Sequence, residues 1–77
     1  MTPLKQVSSK ELTEILISET SRILGQDASF LAPHMKVRRR PTAVPNWDAN
    51  CDVFAGAIVA EAFGEARDYA KARYELQ

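Results

Sequence analysis

Residues 49–76, ANCDVFAGAIVAEAFGEARDYAKARYEL, decide how this chain is read. They contain no proline, and alanine recurs at Ala49, Ala55, Ala57, Ala60, Ala62, Ala66, Ala70 and Ala72. Alanine loses no side-chain entropy on entering a helix, so the stretch is intrinsically helical. The expectation is one helix over 49–76, opened by Asn46, Asp48 or Asn50 as its cap. Its bulky residues form a stripe through Cys51, Phe54, Ile58, Ala62, Tyr69 and Leu76. Beside it runs a second line through Val59, Phe63, Ala66, Ala70 and Tyr74. The resulting apolar sector is wider than a short helix would cover, and its small alanines admit a close neighbour. Gly56 and Gly64 interrupt it, which permits a close crossing or a slight bend.

Working back towards the N-terminus, Ser8 and Glu11 have capping-box spacing. Leu12, Ile15, Leu16, Ile23 and Leu24 then recur at helical intervals, with Gly25 placed to end the helix in a left-handed turn. This predicts a helix over 9–24, with Ile17 off the stripe as a second contact. Residues 1–7 read as a loose tail and 26–46 as an irregular basic connector. Residues 27–32 suit one helical turn stopped before Pro33, and Met35 to Arg40 suit extended chain. A short edge strand there would pair with its copy in a dimer.

The fold class expected is therefore mainly α: a two-helix hairpin with an extended, β-edge-like connector, doubled into a four-helix homodimer. Phe54, Ile58, Ala62, Phe63 and Tyr69 are the candidate dimer face. With 77 residues in one domain the core is small, so association is the expected support.

Ten basic and ten acidic residues cancel, so no global field favours nucleic acid or anionic lipid. The charge is unevenly spread: Lys36, Arg38, Arg39 and Arg40 fall within five residues, while the flanking segments are acidic. Four such cations suit an anion, with arginine offering paired donors to its oxygens. They equally suit a solvated connector whose charge keeps an edge strand from aggregating. Trp47, between Asn46 and Asp48, either stacks on a base or plugs the end of a small core with its ring N–H on a nearby acceptor. Nucleic-acid binding through Lys36, Arg38, Arg39, Arg40 and Trp47 is the alternative to a protein-interaction role.

Chemistry finds little support. Cys51 is the lone cysteine and His34 the lone histidine, which excludes an internal disulfide and leaves a structural zinc site two soft ligands short. No phosphate loop or nucleophile elbow occurs, and Glu61, Glu65 and Asp68 lack the histidine pairing of a di-iron helix. The expectation is a small non-enzymatic, self-associating interaction protein that acts through its broad apolar helical face, without metal or cofactor. No stretch reaches the roughly 20 apolar residues that span a bilayer, and the start lacks a signal peptide's apolar run, which points to the cytoplasm.

The run Arg38-Arg39-Arg40-Pro41, then Pro45-Asn46-Trp47-Asp48-Ala49, then an alanine-rich helix ending in Tyr74-Glu75-Leu76, resembles small uncharacterised proteins of rhizobia and related alpha-proteobacteria. Those proteins carry a Pro-Asn-Trp-Asp-type segment ahead of a C-terminal helix. The likeness covers residues 37–77. It implies a bacterial cytoplasmic protein and brings no activity with it.

Overall fold

The first helix, α1, runs Ser9–Leu24, as its spacing predicts. The Glu11 backbone N–H donates to Ser8 Oγ at 3.1 Å, while the Ser8 hydroxyl donates to the Glu11 carboxylate at 3.2 Å. The return arm of the box therefore uses the serine hydroxyl instead of its backbone N–H. Gly25 closes the helix at φ 72°, donating to the Ser21 carbonyl at 2.9 Å. Leu12, Leu16 and Thr20 are buried along its inner side. The structure, a computed structural model, describes residues 4–52 and 56–77.

Residues 4–8 do not form a loose tail. Lys5–Val7 is a strand, β1, and Val7 is buried. It pairs in parallel with a strand at the other end of the chain, Tyr74–Leu76, in the register Lys5↔Tyr74, Gln6↔Glu75, Val7↔Leu76. The Gln77 N–H donates to the Val7 carbonyl at 2.9 Å and Lys5 N–H to the Arg73 carbonyl at 3.0 Å, so the two ends lock together.

The connector is more regular than expected. A 3-10 helix spans Ser29–His34, later than the predicted 27–32 turn and passing through Pro33. Two strands follow, β2 at Met35–Arg39 and β3 at Trp47–Cys51, forming an antiparallel hairpin with Val37 opposite Ala49 and Arg38 opposite Asp48.

The alanine-rich helix, α2, covers Ala57–Lys71 and not 49–76. Residues 49–51 belong to β3, and 74–76 form the last strand, β4. Asn46, Asp48 and Asn50 consequently do not cap α2; Gly56 stands at that position without a side-chain cap. The reason lies in burial. Trp47, Ala49 and Cys51 turn inward while Asp48, Asn50 and Asp52 turn outward, an alternation of two that a strand satisfies and a helix does not. Phe54 falls outside the described residues.

The fold is thus an α/β domain: α1 and α2 pack together, flanked by two small two-stranded sheets. Trp47, Ala49, Val7 and Leu76 from the strands join Leu12, Leu16, Phe63 and Ala70 in one core. α1 thus packs along α2, and strand residues join Phe63 and Ala70 of α2 in the same core. The Cα radius of gyration of 12.0 Å is close to the roughly 11.5 Å of a folded chain this long. Among the described residues, no helix is long and apolar enough to cross a membrane.

Candidate interaction surface

Trp47 is only 1% exposed, and its ring N–H donates to the Tyr74 carbonyl at 3.0 Å. It is a core residue whose polar edge is satisfied by β4, so its ring offers no face to a base or a partner. Next to it, Asn46 acts as a short surrogate strand. Its Nδ2 donates to the Leu76 carbonyl at 2.9 Å, and its Oδ1 accepts from the Leu76 N–H at 2.8 Å. One side chain thereby satisfies both backbone groups on the flank of β4 that β1 leaves open, and it joins the two sheets.

The basic residues separate according to strand alternation. Lys36 and Arg38 project to solvent from β2, while Met35 and Val37 pack towards the core. Arg39, at the end of β2, donates to the Gln77 carbonyl. Lys36 Nζ pairs with Asp52 at 2.9 Å, which lowers the Asp52 pKa below the ordinary carboxylate value, first through their hydrogen bond and then through charge.

Asp48 is the centre of the remainder. Lys71 Nζ lies 3.0 Å from its carboxylate and the Arg40 guanidinium 3.9 Å; Arg38 stands opposite it in the hairpin. Asp48 is held below its usual pKa, chiefly by the Lys71 hydrogen bond, helped by the Ala49 N–H and by the charges of Lys71 and Arg67. Arg67 also donates to the Ala49 carbonyl at 3.3 Å, while its Nε is buried without a partner among the described residues. Three cations, Lys71 and Arg67 from α2 and Arg40 just past β2, thus act on one carboxylate.

Arg67 and Lys71 carry no mark in the sequence that sets them apart from ordinary solvent-facing charge. Their spacing of four does place both on one flank of α2, but only the fold brings that flank beside Asp48. At about 100° per residue, Glu65 and Tyr69 lie on the other flank, with Ala62, Ala66 and Ala70 between. On that side a groove of about 370 Å³ is lined by Glu11, Glu14, Ile15, Ser18, Glu19, Tyr69 and Tyr74. Arg22 pairs with Glu19 nearby, and the Arg73 guanidinium sits 3.9 Å from the Tyr69 ring centre. The near-zero net charge therefore conceals a basic flank and an acidic, aromatic one.

The residues proposed as a dimer face part company. Ala62 and Phe63 are buried within the chain, Tyr69 is half-buried in the groove, and Ile58 is 75% exposed. Cys51 packs against the core, while His34 is exposed. Among the described residues no group of three His, Cys, Asp or Glu side chains is placed to hold a metal. Compared with known families, with curated proteins and with solved structures, the chain matches none.

Proposed function

We propose that this chain is a non-enzymatic interaction module that holds an acidic protein segment on the face built by β2, β3 and the Arg67–Lys71 flank of α2. The observation that carries the reading is the convergence of Arg40, Arg67 and Lys71 on the single carboxylate of Asp48, with solvent-facing Arg38 on the neighbouring strand. That leaves an excess of positive charge beside the β2–β3 hairpin. A carboxylate-bearing partner gains charge-assisted hydrogen bonds from arginine forks there.

Nucleic acid is the weaker occupant. Its recognition draws on a continuous basic track and on aromatic platforms for bases. Here Asp48 and Asp52 interrupt the cations, and Trp47 is spent in the core. The setting that goes with this reading is the bacterial cytoplasm implied by the Pro45–Ala49 resemblance.

Titration of a fluorescent Glu-rich peptide, single-stranded DNA and RNA at low and high salt tests the reading. It expects peptide binding that weakens with salt and is lost in Arg38→Glu/Lys71→Glu. Tight nucleic-acid binding with no peptide binding would replace it with the alternative. A second reading, self-association through α2, is favoured only by the exposure of Ile58. Light scattering that shows a monomer at high micromolar concentration removes it.

A further inference from the structure

The hydrogen bonds that bracket the hairpin reveal which way each backbone group points. Arg40 N–H donates to the Asn46 carbonyl at 2.8 Å, and Asp52 N–H to the His34 carbonyl at 2.9 Å. In an antiparallel ladder the bonded pairs alternate, so even-numbered residues of β2 face β3 and odd-numbered ones face away. Of the outward groups, the Met35 N–H is taken by the Ala32 carbonyl. No hydrogen bond among the described residues reaches the outward N–H or C=O of Val37 and Arg39. On the other side of the hairpin, the Ala49 carbonyl of β3 is met by Arg67 from α2. Among the described residues α2 thus reaches the β3 edge at Ala49, while no hydrogen bond reaches the β2 edge at Val37 and Arg39.

We infer that an acidic, extended peptide segment adds to the outer edge of β2 as a third strand, antiparallel or parallel, bonding the outward backbone groups of Val37 and Arg39, which no other described residue bonds. This names the partner's form and rests on the preceding reading of the basic face. Strand addition takes its affinity from main-chain hydrogen bonds and its specificity from alternate side chains. The alternation here is explicit. Positions beside Lys36 and Arg38 face solvent and cations, which selects Glu or Asp. Positions beside half-buried Val37 continue the core side, which selects a β-branched residue.

A second copy of this chain is a poor occupant of the same edge. Two antiparallel β2 strands joined through their outward residues place either Val37 opposite Val37 or Val37 opposite Arg39. The first register sets Lys36 against Arg38, and the second sets Arg38 against Arg38. Like charges directly opposite destabilise a strand pair, so the cations that invite an acidic strand also prevent self-pairing.

The test uses two peptides of equal charge, one alternating Glu with Val and Thr, the other alternating Glu with Pro. Proline cannot supply the N–H groups a strand needs. Strand addition expects the first peptide to bind at least tenfold more tightly and to slow hydrogen exchange at the Val37 and Arg39 amides. It further expects Arg39→Pro to lose at least tenfold in affinity, because the substitution removes an outward N–H and leaves the β2–β3 bonds in place. Arg39→Ala, which keeps that N–H, should lose less than threefold. Equal binding of both peptides without amide protection overturns strand addition and leaves the charge-based reading standing. Binding of neither at low salt removes both. Hydrogen exchange on the unaltered chain keeps the test decisive where Arg39→Pro fails to fold.

Discussion

Replacing Asn46 with alanine removes the side chain that joins the two sheets. Its two bonds to Leu76, at 2.9 and 2.8 Å, serve a residue only 7% exposed. A buried donor or acceptor left unmet costs roughly 1–3 kcal/mol. Because Asn46 itself is half-buried and water gains partial access after truncation, we take the low end for each group, about 2–3 kcal/mol together. A domain of this length has about 4–12 kcal/mol of stability in all. Urea unfolding followed by Trp47 fluorescence should therefore show a midpoint lower by about 2 M, for a slope near 1 kcal/mol per molar.

Asn46→Asp sharpens the test. Its carboxylate still accepts from the Leu76 N–H, but it faces the Leu76 carbonyl with an acceptor where a donor belongs. The acid form restores the donor, so the folded state raises this group's pKa above the unfolded value of about 3.9. The folded state then takes up the proton first, and stability relative to the parent rises as pH falls through the folded pKa. Asn46→Ala has no such recovery. A loss below about 0.5 kcal/mol in the alanine variant, within the usual range of uninvolved surface changes, refutes the role assigned to Asn46. Identical pH profiles for the two variants do the same.

Two further outcomes follow from the same geometry. Asp48, its pKa depressed chiefly by Lys71, contributes stability that is present above the unfolded carboxylate value and lost as pH falls through the folded one. Asp48→Asn should thus differ from the parent near neutrality and converge with it in strong acid, while binding acidic peptide more tightly because the cations lose their internal partner; divergence that grows in acid contradicts this. At Gly25, where an added Cβ meets nothing within 4 Å, alanine should cost only the left-handed backbone strain, about 1–2 kcal/mol by urea unfolding. A cost above about 3 kcal/mol would exceed that strain and reveal packing at this turn.

Much of the candidate surface was visible as composition but not as arrangement. The run Lys36 to Arg40 is plain in the sequence, and alternation along Met35-Lys36-Val37-Arg38 suggests which cations face solvent. The same period of two runs through Trp47-Asp48-Ala49-Asn50-Cys51-Asp52, yet it was overridden by the alanine-rich context that follows. That context was a poor guide at this point, because helix propensities differ by only tenths of a kcal/mol per residue. Burying Trp47 and satisfying both of its strand's neighbours weighs far more. Arg67 and Lys71 carried no mark distinguishing them from other exposed charges on α2. Their part in the surface depends on Asp48, which lies 19 and 23 residues earlier.

What the sequence determined by itself is what short-range physics controls. This includes α1 with its serine cap and its Gly25 stop, a second helix rich in alanine, and an interior tryptophan needing an acceptor for its N–H. Each of these depends on residues within a turn or two of one another. Only the tertiary structure decided where α2 begins and ends, because Tyr74–Leu76 leaves the helix to pair with Lys5–Val7 at the opposite end of the chain. It also turned Asn46 from an expected helix cap into a bridge between sheets, and it set Phe63 and Ala70 of α2 in one core with residues of the strands. Three-residue strands are too short to carry a periodic signal. Their pairing is fixed by backbone groups that every residue shares, and those become specific only when the chain brings them together.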